Sequence, residues 1–116
     1  NGEQRRDFVC VDDVVRVNLD FLDHPGRSGI FNVGSGRAET YNAVATSVVN
    51  AVRAAEGRPE ATLDALVREC AIRYVPFPPA LVGKYQNYTQ ADLTKLRASG
   101  YRAPTTPLDE GVRRYV

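Results

Sequence analysis

The chain has 116 residues, the length of one small domain. It is 43% hydrophobic and 25% charged, and fifteen basic residues stand against fourteen acidic ones. A net charge of +1 gives no global attraction to nucleic acid or to an anionic membrane, and no apolar run approaches the roughly 20 residues needed to span a bilayer.

The chain opens on the polar stretch Asn1-Gly2-Glu3-Gln4 and carries no methionine. It closes at Val116 inside a helical pattern, so both ends are expected to be cut from something longer. Nothing at the start reads as a secretory leader, which fits a cytoplasmic setting. Cys10 and Cys70 form no Cys-x-x-Cys pair, and two buried, reduced thiols are expected. His24 is the only histidine and has no ligand cluster around it, which disfavours a metal site.

The stretch from Arg5 to Val14 reads as the organising segment. Phe8 to Val11 is a continuous run of strand formers, suited to a strand buried on both faces. Asp12 can cap the helix that follows, predicted over 12–22. Val14, Val17 and Phe21 form one stripe of that helix; Val15, Leu19 and Leu22 form the next. Further strands are expected over 29–33 and 72–75. Gly34-Ser35-Gly36 turns the chain, and Thr40 caps a helix over 41–55 with the clearest period in the sequence, through Tyr41, Val44, Val48 and Val52. A breaker-rich link over 56–60 leads to a short helix over 63–69. Pro76-Phe77-Pro78-Pro79 must be a stiff loop, and an irregular, polar and aromatic stretch over 81–88 follows it. Thr89 and Asp92 suggest a capped helix start, and Thr106-Pro107 opens the last helix.

Two motifs invite chemistry. Gly34-Ser35-Gly36-Arg37-Ala38-Glu39 follows an expected strand, as a dinucleotide loop would, but Glu39 stands where Gly or Ala should let the helix pack. It reads as a structural turn. A Tyr-x-x-x-Lys pair, in which lysine lowers the pKa of a proton-transferring tyrosine, is absent: none of the six tyrosines has lysine four residues on. Arg6, beside the apolar run, could be a solvated charge or an anion contact in a cleft. Arg5 would point the other way along an extended chain and reads as surface. Tyr85, between Lys84 and Gln86, could be a loop or core tyrosine or could line a cleft rim. Gln90, Asp92 and Leu93 read as helix-start residues.

Arg6-Asp7-Phe8-Val9-x-Val11-x-Asp13-Val14 resembles the C-terminal half of extended short-chain dehydrogenases/reductases that act on nucleotide sugars. Asn32-Val33-Gly34-Ser35-Gly36-Arg37-Ala38, Gly83-Lys84-Tyr85-Gln86 and Thr89-Gln90-Ala91-Asp92-Leu93 narrow the likeness to the ADP-L-glycero-D-manno-heptose-6-epimerase family, over nearly the whole chain. Cys10 stands where that family often has an aromatic, Asp12 where it often has glycine, and the 56–69 link is longer than in its shortest members.

The resemblance implies an α/β chain, residues 1–116 being a C-terminal substrate-binding portion without the main Rossmann sheet. It implies NADP, held by an absent N-terminal part, and ADP-heptose as the small-molecule partner. Neither nucleic acid nor membrane is implied, and self-association stays open. It casts Arg6 as the residue that holds the substrate's pyrophosphate and Tyr85 as a substrate contact. No residue of this chain is implied to be catalytic or to bind cofactor. Two alternatives stay open: another nucleotide-sugar epimerase, dehydratase or reductase, or a non-catalytic domain that binds an anion or another chain.

Overall fold

Five α-helices and one two-stranded sheet organise residues 1–116, all described by the computed structural model. β1 (Arg5–Arg6) pairs antiparallel with β2 (Glu39–Thr40), Arg5 opposite Thr40 and Arg6 opposite Glu39. Tyr88 adds a parallel bridge to Arg5. The class is a small α/β, yet the three strands expected over 8–11, 29–33 and 72–75 do not form. A strand exists only where a neighbour completes its ladder. Cys10 has extended dihedrals, φ −67° and ψ 135°, but the run leads straight into a helix with no partner beside it. Ile30 and Val75 are 87% and 81% exposed.

α1 spans Val11–Asp23. Cys10 precedes it without a side-chain cap bond, so Asp12 is not the cap; it lies exposed in the first turn. Its neighbour Asp13 is the buried carboxylate, accepting from Thr106 N at 2.7 Å, Thr106 Oγ1 at 2.9 Å and Arg16 Nη2 at 3.0 Å. It fastens α1 to the approach of the last helix. Of the two apolar stripes of α1, only the first packs: Val17 is buried and Phe21 half-buried, while Val15, Leu19 and Leu22 are exposed.

α2 (Tyr41–Ala55) begins where Thr40 Oγ1 accepts from Ala43 N at 3.0 Å, as its side chain predicts. Its deepest residues are Asn42, Ala51 and Arg53 rather than the valine stripe. Arg53 gives the 56–69 link its place. Its Nε donates to Pro59 O and its Nη1 to Glu69 Oε2, each at 2.8 Å. Asn50 clasps Ala61 by both backbone groups. The link folds back so that α3 (Leu63–Arg68) can bury Leu66 against α2. Cys70, just after α3, is exposed with φ 57°, and Cys10 is half-buried; both are free thiols, so the expectation of two buried ones fails.

A 3-10 turn (Pro79–Leu81) precedes α4 (Thr94–Ala98) and α5 (Leu108–Tyr115). Thr89 does not start α4, because its N–H bonds Arg5 O at 3.2 Å in the bridge. Asp92 Oδ1 accepts from Thr94 N at 2.9 Å, two residues on, in place of a capping box. Pro107 caps α5 from outside rather than filling its first turn. Val17, Leu96 and Tyr101 make the core cluster, flanked by Phe21, Phe31, Val33 and Leu93. No helix is long and apolar enough to cross a membrane.

Candidate functional site

β1 delivers Arg6 to one end of the molecule, and the loop after the 3-10 turn delivers Tyr85 to the same place. The Arg6 guanidinium lies over the Tyr85 ring, 4.9 Å from its centroid. Residues 79 positions apart in sequence are thus in contact, held as a cation on a π-face. Arg6 Nη1 donates to Arg5 O at 2.8 Å, and Nη2 donates to Gln86 O. The second bond ties the 83–88 loop to β1. A guanidinium carries five N–H donors, so three remain for a ligand. No carboxylate forms an ion pair with Arg6.

Two tyrosines complete the cluster. The Tyr85 and Tyr41 hydroxyls share a hydrogen bond at 3.0 Å. Phe77 meets the Tyr85 ring edge-on at 5.4 Å, and Phe8 meets the Tyr41 ring edge-on at 5.5 Å. The hydrogen bond shared with Tyr85 holds the Tyr41 pKa above its ordinary value, with burial adding to the shift and Arg6 opposing it. Tyr41 had read as the first residue of an apolar stripe. Its position at the start of α2 gives no hint that its hydroxyl meets residue 85. Lys84 stays exposed, and its backbone N–H bonds Leu81 O.

Behind this cluster stands Asp7, a residue that neighbours Arg6 but faces inward. Its Oδ1 accepts from Ser35 N and Ser35 Oγ, both at 2.6 Å; its Oδ2 accepts from Gly36 N and Ala91 N, both at 2.9 Å. Burial works to raise its pKa, but the bonds from Ser35, Ala91 and Gly36 outweigh that and hold it below the ordinary value. The Gly-Ser-Gly turn fits closely around this carboxylate. A Cβ on Gly34 would stand 2.7 Å from Asp7 Oδ2 and 2.6 Å from the Ala91 Cβ, and Gly36 has φ +74°. Gln90 closes the turn by donating from Nε2 to Gly36 O at 2.6 Å.

The turn's amides are therefore spent on Asp7. A dinucleotide loop needs those N–H groups turned toward phosphate. This turn does not present its Ser35 and Gly36 amides to a ligand; they hold Asp7. Nor is the start of α2 an anion cradle: its first N–H groups bond Gln4 O, Gly2 O and Thr40 Oγ1.

Residues 1–34 match the NAD dependent epimerase/dehydratase family. The fold is similar to the solved structure of an NAD-dependent NDP-hexosamine 5,6-dehydratase, TunA, involved in tunicamycin biosynthesis, with 26% identity and a TM-score of 0.59. That likeness covers 97% of this chain and 31% of the other, so the chain spans about a third of the length of the structure it matches. The family and the matched dehydratase are both NAD-dependent. The matched opening segment carries Arg6 and Asp7, and the fold likeness carries the rest; together they support the nucleotide-sugar epimerase/dehydratase enzymes of the extended short-chain dehydrogenase/reductase superfamily.

Proposed function

We propose that this chain is the substrate-binding part of an NADP-dependent epimerase that interconverts the two ADP-glycero-manno-heptoses at the sixth carbon. The observation that carries the reading is the Arg6 guanidinium laid on Tyr85 with no carboxylate partner and three unspent donors. A diphosphate needs a fixed cation, and a planar, permanently charged fork held by an aromatic face meets that need. The choice of ADP-heptose, and of NADP over NAD, rests on the Gly83-Lys84-Tyr85-Gln86 and Thr89-Gln90-Ala91-Asp92-Leu93 stretches. With it come a cytoplasmic enzyme, a product destined for lipopolysaccharide core, and self-association of the full-length protein. The hydride chemistry of a nicotinamide belongs to residues outside this chain, which has neither a cofactor loop nor a Tyr-x-x-x-Lys pair.

The likeness to an NDP-hexosamine dehydratase favours a second reading, a dehydratase of the same superfamily. One experiment separates the two. The full-length enzyme is incubated with NADP and ADP-heptose, or with an NDP-hexosamine, and the sugars are followed by NMR. Inversion at the sixth carbon of the heptose is expected. Loss of water from the hexosamine, with the heptose untouched, replaces the first reading by the second.

A further inference from the structure

Between Ile72 and Thr89 Tyr85 alone is half-buried, and every other residue is exposed. The ends of this stretch are tied down. The Tyr74 hydroxyl donates to Asn42 Oδ1 at 2.9 Å, and Asn87 O accepts from Arg5 N at 2.8 Å. From Val75 to Lys84 the hydrogen bonds are internal, within the turns around Pro79 and Leu81. The middle is held to the body where Tyr85 and Gln86 meet Arg6, and where Tyr85 shares its bond with Tyr41. Phe77 passes this hold back along the stretch through its edge contact with the Tyr85 ring. No acidic residue stands between Glu69 and Asp92, whereas Arg73 and Lys84 are basic. The stretch therefore closes on a cation without bringing an anion of its own.

We propose that residues 75–86 are a strap latched by Arg6, and that a diphosphate bound at Arg6 holds the strap closed. This inference rests on the reading of Arg6 as the diphosphate contact. With the strap closed, the guanidinium is fixed by Gln86 O and the Tyr85 ring while three donors stay free for the anion. With the strap open, both supports are gone and the side chain must be ordered again when a ligand arrives, which costs affinity. The ligand therefore binds the closed form more tightly. Coupling between two events is reciprocal, so the ligand must stabilise the closed strap by the same factor. The anion also supplies the negative charge that the strap lacks.

Lys84 is the one tryptic site between Arg73 and Lys95, so cleavage after it reports the open strap. The test follows that cut in the full-length enzyme by mass spectrometry, with inorganic pyrophosphate as the ligand and its binding measured by calorimetry. Saturating pyrophosphate is expected to slow cleavage after Lys84 by about 5- to 150-fold, the usual span of coupling between two sites. Cleavage after the exposed Arg68 should keep its rate. Phe77→Ala, which loosens the strap without touching Arg6, is expected to quicken the Lys84 cut by about 2- to 12-fold without ligand, the worth of one aromatic edge contact. Pyrophosphate should slow it again. In Arg6→Ala the cut should be fast and indifferent to pyrophosphate. If Arg6→Ala binds pyrophosphate less tightly than the wild type, yet the wild-type Lys84 cut is equally fast or equally absent with and without ligand, the strap inference falls and the reading of Arg6 stands. Faster cleavage with pyrophosphate, or equal slowing at Arg68, overturns the inference as well. If the wild type and Arg6→Ala bind pyrophosphate alike, the reading of Arg6 fails and the strap inference with it.

Discussion

Arg6 has two tasks that a mutation separates only in part. Two of its donors hold the backbone of Arg5 and Gln86, and the rest have no protein acceptor. Arg6→Ala in the full-length enzyme should weaken ADP-heptose by one to two powers of ten, following roughly 1.5–3 kcal/mol for a charge-assisted bond. Arg6→Lys should recover only part, because the point charge cannot hold Gln86 O, lie flat on Tyr85 and meet a ligand together. An Arg6→Ala enzyme with wild-type KM and kcat would remove Arg6 from the site. Tyr85→Phe asks a narrower question. Its hydroxyl bonds another exposed hydroxyl rather than a buried backbone group, so stability has little at stake. Affinity should fall by about 0.5–1.5 kcal/mol while the Tm hardly moves. A thermal melt beside one binding isotherm decides; a lower Tm with normal affinity makes the residue structural.

Elements here are joined less by sheet than by carboxylates. Asp7 binds β1 to the Gly-Ser-Gly turn and to the segment before α4, and Asp13 binds α1 to the segment before α5. Asp7→Asn keeps the shape but turns one oxygen into a donor that faces N–H groups. A loss of roughly 1–3 kcal/mol in unfolding free energy is expected for the unmet donors, read by denaturant titration. The pH dependence has a definite sign. A carboxylate whose pKa is lowered on folding stabilises the fold above its ordinary value of 3.8, and the stabilisation is lost as the pH falls through the lower, folded value. The wild type should therefore lose stability on acidification below that ordinary value, and Asp7→Asn should show a smaller loss over the same range. Equal slopes would take Asp7 out of the acid response. The helices were legible because their signals are local: period 3.6 for α2, Thr40 as its cap, prolines and glycines as stops; the Thr62 cap of α3 has the same local form but was not read. Phe8 to Val11 misled because propensity describes a residue, whereas a ladder requires a neighbour that propensity does not supply. Asp7 and Asp13 were missed for the same reason, since their partners lie 28 to 93 positions away. Arg6 and Tyr85 were singled out separately, by their settings and by resemblance; nothing in spacing could have joined them.

As a whole the molecule is a slab, 53 × 41 × 17 Å, with a radius of gyration of 17.3 Å. A compact domain of this length would have about 13 Å. Only nine of its residues are buried, and sixteen large hydrophobic side chains are exposed. Val11, Val15, Leu19 and Leu22 run along one side of α1, each 49% exposed or more. A slab of this kind can present a ligand-binding face but cannot enclose a reaction. The 116-residue chain by itself should turn over no ADP-heptose with NADP present, because the residues that would hold the cofactor are not among its own. Turnover by material freed of any host epimerase would defeat that expectation.

The tyrosine pair also makes the site its own optical reporter. The chain has no tryptophan, so ultraviolet emission comes from six tyrosines alone. Tyr85 carries a guanidinium on its face, as Tyr101 does, but of the two only Tyr85 also shares a hydrogen bond with Tyr41. An anion that draws the guanidinium off the Tyr85 ring alters the environment of a tyrosine that is itself bonded to Tyr41. The near-ultraviolet spectrum of this chain would then record occupancy without a label, and Tyr85→Phe, which removes the hydroxyl bonded to Tyr41, would change that response.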